Sequence, residues 1–333
     1  MNRKDVVLIV EAARLEGAIP DLSKADLSGV DLSGLDLRGV NLKGANLSGA
    51  NLFQANLLRT DLRRATLTKI QADKARWHGA NLDEANLEGV NLLGAQMETV
   101  SLAGANLNQI NFHGADLRWA KLDGATLIGA NLTEAKLSKA SLEKANLQKA
   151  TLQRTLLTEA NLSQANLSQA NLERADLSGA KLVDAILSEA KLTRIKFHAA
   201  NLAKSNLSGF NLVQVDLSDA DLSGANLSRA NLKQANLAHT NLSAADLSEA
   251  NLTEAVVSQA NFTRANLKNA QATEAQLKLA KKLDKAMMPN GKPYLPPPVV
   301  RKPGGKGEKR KATAAGLAAS LARIKDRKPG DKE

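Results

Sequence analysis

The sequence predicts a solenoid, a chain that winds in stacked coils around one narrow interior. Apolar residues recur at every fifth position from Leu22 to Leu277 without a phase slip. A small residue, usually Ala, stands two positions before most of them, with larger substitutes such as Leu35, Ile110 and Phe210. Aromatic residues make up only 2% of the 333 residues, so Leu and Ala supply nearly all of the apolar content. Ordinary globular domains need more aromatic and β-branched bulk than this chain has. The composition therefore favours one repetitive architecture.

The spacing of five residues is incompatible with a helix or a flat strand. Of the 52 apolar positions in this series, 44 are Leu. A helix turns about 100° per residue, so each Leu would lie about 140° around the axis from the last one. A strand alternates between two faces, so an odd spacing would place successive Leu on opposite sides. All of them share one interior only if the chain bends by about a right angle every five residues, always in the same sense.

Polar residues and prolines agree with a chain that bends at short intervals. Asn or Asp usually precedes each Leu, and Ser or Gly often follows it; these residues tolerate turn conformations and bond to nearby backbone groups. Of eight prolines, seven lie beyond Met288, and Pro20 stands at the first inward position. This distribution is expected where backbone N–H groups pair with the coils above and below.

The repeated pattern A-[ND]-L-x-x resembles the pentapeptide-repeat family over residues 20–279. This resemblance implies an all-β solenoid, a right-handed quadrilateral β-helix with four repeats per coil. The 52 repeats would then form about 13 coils, and at about 4.8 Å between stacked backbones the rod would be roughly 60 Å long. Such an interior has no room for a cofactor.

The two flanks are expected to cover the open ends of the coil. Residues 1–19 predict an N-terminal capping helix over 3–16, with Asn2 as N-cap and Gly17 after its end. Its expected apolar face comprises Val6, Ile9, Val10 and Ala13. Residues 280–291 predict a C-terminal helical cap, because Leu279, Leu283 and Met287 have helix-like spacing. The turn expected at 288–291 is similar to the A-x-M-P-[DN]-G sequence that often closes Leu-rich family members.

Residues 292–333 have a different composition, rich in Pro, Gly and Lys. They predict a basic tail that is mostly disordered, with a short helix at 312–327 as the alternative. Residues 280–333 carry 15 basic and 5 acidic side chains, so the tail is a candidate for tethering to nucleic acid or an anionic membrane. A single aromatic residue, Tyr294, argues against stacking on bases.

No set of residues predicts catalysis or metal binding. The chain has no Cys, which excludes disulfides and thiol chemistry. The four histidines, His78, His113, His198 and His239, all stand at outward positions, and we expect no serine beside any of them. We therefore expect no enzyme activity, no cofactor and no metal site.

Two groups of cationic residues and one tryptophan are candidate interaction surfaces. Spacing by 20 residues should stack Arg154, Arg174 and Arg194 on consecutive coils, with Lys191 and Lys196 nearby. This group is either a site for an anion or acidic partner surface, or a solvated face neutralised by Glu173 and Asp176. The same alternatives hold for the second group, which comprises Arg59, Arg63, Arg64 and Lys43 beside Asp61. Trp119 is an interface anchor or an isolated surface residue, and the inward Trp77 and Phe210 are expected to widen the coil locally.

The leading functional hypothesis is a non-catalytic structural or protein-interaction scaffold that presents the flat faces of a rigid rod. Some family members resemble duplex DNA in size and negative charge, bind type II topoisomerases such as gyrase, and protect them from quinolones. Residues 20–279 carry 27 basic and 26 acidic side chains and no inserted loop, which disfavours such DNA mimicry. The partner protein is unknown, and a monomer and an end-cap homodimer are both open. No signal peptide is evident, so we expect a cytoplasmic, bacterial or organellar protein.

Overall fold

A computed structural model describes residues 1–295. The tail expected beyond residue 295, with its alternative helix at 312–327, lies outside the described residues. Within the described range, neither helix is long and apolar enough to cross a membrane.

The repeating unit of the fold is a coil of 20 residues with four contact points to the next coil. Single-residue parallel bridges join Asp21 to Asn41 and Asn41 to Asp61, and equivalent bridges start at most of the positions that follow at five-residue intervals. Each bridge is followed by a two-residue turn. The Leu22 amide donates to the Asn41 carbonyl at 2.8 Å, and the Asn41 amide donates to the Pro20 carbonyl at 2.9 Å. Because each paired segment is so short, the coils are joined by isolated bridges and not by extended strands.

The interior contains the apolar series that the sequence predicts. Every fifth residue from Leu22 to Leu277 is buried except Ala272, which is half-buried. Leu132 and Leu172, near the middle of the rod, are both fully inaccessible. Trp77 is also fully buried, and Ala72 stands one repeat before it in the same series. A steady bend every five residues therefore gives all these side chains one common core.

The corners are tight turns, and an Asn or Asp side chain supports many of them. At the first corner the Ala25 amide donates to the Leu22 carbonyl at 3.2 Å, and the Asp21 carboxylate accepts from the Ser23 amide at 2.9 Å. The second turn residue, Lys24, has a φ of 57°, and Lys, Arg, Gln and Glu occupy this left-handed conformation at many corners. It costs an L-residue roughly 1–2 kcal/mol. The side-chain hydrogen bond, where Asn or Asp is present, and the pairing with the next coil offset this cost.

The N-terminal helix, α1, runs from Arg3–Leu15 and packs on the first coil. The Asn2 side chain accepts from the amides of Lys4 and Asp5, forming a capping box with Asp5. Val6 and Val10 are buried against the coil, whereas Ile9 is 36% exposed. The buried face of α1 is therefore narrower than the apolar face expected from the sequence, because only one side of the helix touches the rod.

The first coil has no preceding coil, and two arginines of α1 donate the hydrogen bonds that such a coil would supply. Within the rod, the carbonyl groups that face the preceding coil accept hydrogen bonds from the amides of that coil. Here Arg3 donates to the carbonyls of Asp31 and Ser33 at 3.0 and 2.9 Å, and Arg14 donates to that of Asp36 at 3.0 Å. The open backbone edge is thus covered by guanidinium groups as well as by apolar contact.

The helical cap expected from the spacing of Leu279, Leu283 and Met287 is wrong. The C-terminal helix, α2, covers only Glu274–Leu277, and the chain then returns to the bridging pattern. Asn261 bridges to Lys282 and Asn266 to Met287, a spacing of 21 residues instead of 20. The spacing of Leu283 resembled a helix because one inserted residue had shifted the period of five.

The rod closes with a segment that turns back on its last coil. Met287 and Pro293 form an antiparallel bridge, and the Tyr294 amide donates to the Ala286 carbonyl at 2.8 Å. Gly291, with a φ of 74°, makes the expected turn possible. The ordered cap therefore extends to Tyr294, three residues into the segment assigned to the tail.

Candidate interaction surfaces

The arginine column, which we define as Arg154, Arg174 and Arg194, occupies equivalent corners of consecutive coils. The Arg154 amide donates to the Glu173 carbonyl at 3.0 Å, and the Arg174 amide donates to the Thr193 carbonyl at 3.0 Å. All three have φ between 56° and 58°, the left-handed turn conformation. The structure therefore stacks these corners as the 20-residue spacing indicates.

Acidic side chains neutralise one end of the arginine column and leave the other end free. Arg154 pairs with Glu134 at 3.0 Å, and Arg174 approaches Glu173 at 3.9 Å. Lys196 pairs with Asp176 at 3.3 Å. Glu173 and Asp176 are the acidic residues expected from the sequence, whereas Glu134 was not predicted, although it stands 20 residues before Arg154 in the same column.

Arg194 and Lys191 have no carboxylate within 4.0 Å among residues 1–295. They are therefore the cations of this surface that remain free for an external anion. The neighbouring Asp176 stays ionised: burial opposes its charge, but hydrogen bonds from Ser178 and Lys196 hold its pKa below the usual value.

Carboxylates neutralise two of the four cations in the second group. Arg63 pairs with Asp61 at 2.5 Å, and this hydrogen bond lowers the pKa of the Asp61 carboxyl. Arg64 pairs with Glu84 at 2.9 Å across one coil. In the described part of the chain Arg59 and Lys43 have no ion pair, so they are the two free members of the predicted group.

Arg59 lines a surface hollow of about 500 Å³ beside the end of α1. Glycines at the corners below and above Arg59 leave room for it, since Gly39 and Gly79 have no side chain. Asp36 pairs with both arginines of the rim, at 3.3 Å from Arg14 and 2.7 Å from Arg38. The hollow therefore offers a free guanidinium to a carboxylate or phosphate group. Its lining comprises Arg14, Arg38, Gly39, Leu58, Arg59 and His78.

Trp119 is exposed over 49% of its surface and is held on one side by Arg118. The Arg118 guanidinium lies 5.5 Å from the centre of the indole ring. Arg118 is itself fixed by Asp116 at 2.7 Å and by Glu98. The indole is therefore a positioned apolar group, with its other face open to solvent.

The expectation that no serine lies beside a histidine is wrong. His198 Nδ1 is 2.9 Å from Ser218 Oγ, one coil away in the same column. Ser218 Oγ donates to Asp216 at 2.6 Å, and Asp219 lies 3.8 Å from the same ring nitrogen. In a catalytic triad the serine and the carboxylate bind opposite ring nitrogens. The arrangement is therefore a surface hydrogen-bond network, and no group of three metal-ligating side chains occurs in residues 1–295.

The family model for pentapeptide repeats matches overlapping segments that together cover residues 21–75 and 80–281. The chain belongs to the pentapeptide-repeat family. Pentapeptide-repeat proteins fold as right-handed quadrilateral β-helices and are generally non-catalytic. The resemblance drawn from the sequence is confirmed.

Solved structures similar to this pentapeptide-repeat protein come from several sources. HetL, involved in heterocyst differentiation regulation in the cyanobacterium Nostoc sp. strain PCC 7120, is 30% identical; the match covers 88% of this chain and all of HetL, with a TM-score of 0.24. QnrB1, a plasmid-mediated fluoroquinolone resistance protein, is 16% identical over 69% of this chain and 87% of its own, with a TM-score of 0.22. Rfr23 from the cyanobacterium Cyanothece 51142 is 32% identical over 33% of this chain and 85% of its own, with a TM-score of 0.17. No curated protein sequence matches.

Proposed function

We propose that this protein is a non-catalytic interaction scaffold, a right-handed quadrilateral rod of about 13 coils that binds an acidic partner protein along its side. One observation carries the proposal: Leu and Ala fill the interior, while the charged side chains project outward from repeated corners. A filled core excludes an internal ligand site, so recognition falls to the outer faces.

The free cations indicate which outer surface binds the partner. Arg194 and Lys191 belong to the same five-residue repeat and have no acidic partner among the described residues, whereas Arg154 and Lys196 do. Arg pairs well with carboxylates because its planar guanidinium makes two parallel hydrogen bonds. A partner that presents Asp or Glu side chains at this corner would neutralise the charge that the rod leaves open.

The gyrase alternative has weaker support from the residues. A mimic of duplex DNA needs a strongly negative surface, but residues 20–279 carry 27 basic and 26 acidic side chains. Because these charges nearly cancel, the rod also lacks the excess of positive charge needed to bind DNA directly along its length. We expect no inhibition in a gyrase supercoiling assay at low micromolar protein, and inhibition there would replace the scaffold proposal.

A charge-reversal pair tests the proposed surface. The variant K191E/R194E is compared with a control, K121E/K149E, which makes the same change in net charge at other faces. Each protein is used as full-length bait for affinity capture and quantitative mass spectrometry, after its circular-dichroism melt is shown to match the wild type. We expect at least one acidic protein to be captured by the wild type and the control but lost with K191E/R194E. Identical capture by all three baits would reject this surface, and no enrichment by the wild type would reject the scaffold role.

A further inference from the structure

The pairing between coils is interrupted at one junction on two neighbouring sides. The segment 184–194 makes no backbone hydrogen bond to the segment 203–213, although both lie within the described residues. Bridges persist on the other two sides of the same junction, from Lys181 to Asn201 and from Lys196 to Asp216. The two coils are therefore joined along two sides and open along the other two.

The coils immediately below and above this junction are paired regularly. Below it, the amides of Ile186 and Lys191 donate to the previous coil at 2.9 Å. Above it, the amides of Leu207 and Leu212 donate to the next coil at 2.7 and 2.8 Å. Each of the two coils therefore pairs regularly with its other neighbour, and only the pairing between the two coils is interrupted. A milder interruption, on one side alone, lies between 69–75 and 88–93.

Phe210 stands at the open sides and explains why they separate. It occupies the inward position that precedes the bridging residue Asn211, and Ala170, Ala190 and Ala230 occupy the same position in neighbouring coils. A phenyl ring cannot fit the space that a methyl group fills, since protein cores are close-packed. Phe210 is accordingly only partly buried.

The coil below Phe210 shows the same opening. Ala185 and Ala190 are 7% and 8% exposed, whereas Ala165 and Ala170, one coil earlier, are fully buried. The Ser205 hydroxyl, at the start of the open sides, is buried without a hydrogen-bond partner. Both features are expected if the coils lie apart here.

We propose that this junction is a joint of the rod, with Phe210 as the wedge that keeps it open. The bridges at Lys181 and Lys196 act as the hinge sides, and the sides that contain Ile186 and Lys191 open and close. The two parts of the rod then change direction relative to each other. Arg194 lies at the edge of the opening, so the joint also moves the free end of the arginine column.

Amide hydrogen exchange of the full-length protein, read by mass spectrometry, tests the joint. Backbone amides without hydrogen bonds exchange without the opening step that protects regular coils. The amides that lose their backbone partner at this junction should exchange at least about 100-fold faster than their bonded equivalents two coils earlier. The former are those of Leu187, Glu189, Leu192, Arg194, Asn206 and Asn211, and the latter are those of Leu147, Lys149, Leu152, Arg154, Asn166 and Asn171. The variant F210A should close the gap and slow exchange in 184–194 by at least about 10-fold. Uniform protection in the wild type, or unchanged exchange in F210A, would overturn the proposal.

Two further variants separate a wedge from a general loss of packing. F112L changes a fully buried Phe at a regular Leu position and should leave exchange at 184–194 unchanged. A170F places a phenyl ring at the equivalent position two coils earlier and should open a new unprotected region at 144–154. If A170F remains folded and fully protected there, bulk at this position is not the cause of the interruption.

Discussion

Gln276 holds the place of a backbone amide where the rod gains its one extra residue. In regular coils, the carbonyl of the residue just before a bridging position accepts from the amide 21 residues later, as Ala230 accepts from Asn251 at 2.9 Å. At the shifted coil the Gln276 side chain donates instead, to Ala255 at 2.7 Å and to Leu252 at 2.8 Å. Replacing this side chain should therefore open the C-terminal end of the rod.

The size of the effect follows from the two hydrogen bonds. Each neutral hydrogen bond contributes about 1 kcal/mol net, so Q276A should cost about 2 kcal/mol locally. Q276E should cost more, because a carboxylate cannot donate and faces two carbonyl oxygens. Protonation at low pH restores one donor, so the cost of Q276E should fall as the pH falls through the carboxyl pKa.

Hydrogen exchange measures this local effect better than a global melt, because a repeat protein unfolds in neighbouring units. A loss of 2 kcal/mol corresponds to roughly 30-fold faster exchange in residues 252–290. The control is Q169A, which removes an exposed amide bonded to Glu189 at 2.8 Å and should change exchange less than about 3-fold. Exchange in Q276A and Q276E within 3-fold of the wild type would refute the replacement of a backbone donor by Gln276.

Three further predictions concern the regular coils. Leu157 is fully buried, so L157A should lower stability by about 2.7–5 kcal/mol in urea unfolding followed by circular dichroism; a cost under about 1 kcal/mol would mean that the core collapses around the gap. Gly124 has a φ of 65° and no atom near the site of an added Cβ, so G124A should cost about 1 kcal/mol through backbone strain alone, and a neutral melt would contradict this. The pKa of Asp61 is lowered by Arg63 from the ordinary 3.8, so its stabilisation is present above that value and lost as the pH falls through the folded pKa. D61N should therefore flatten the acid-side decline of Tm, and an unchanged decline would show that the pair contributes nothing.

The regular part of the fold could be predicted because one spacing determines it. A Leu at every fifth residue has few ways to be buried, and columns follow from adding 20 to a residue number. The Ser218 contact with His198 and the Glu134 contact with Arg154 were also readable in this way, since each pair is 20 residues apart. They were missed because the columns were searched for like residues and not for complementary ones.

The ends could not be predicted in the same way, since their contacts do not repeat. Arg3 and Arg14 bind carbonyl groups that are ordinary backbone atoms in the sequence, and nothing in the spacing marks those carbonyls as unpaired. At the C-terminus, one inserted residue gave Leu283 a helical spacing relative to Leu279. A tertiary contact, the donation by Gln276, decides between the two structures, and local periodicity cannot distinguish them.

The departures from the repeat also indicate where specific function must lie. A regular coil presents nearly the same backbone and the same core at every level, so a partner can recognise one level only by side chains that differ from their neighbours. Along the arginine column the charge is neutralised at Arg154 but open at Arg194. The same level carries the interruption caused by Phe210. Because an unpaired cation and a break in coil pairing coincide there, a partner bound at Arg194 would sense, and could select, the open or closed state of the joint.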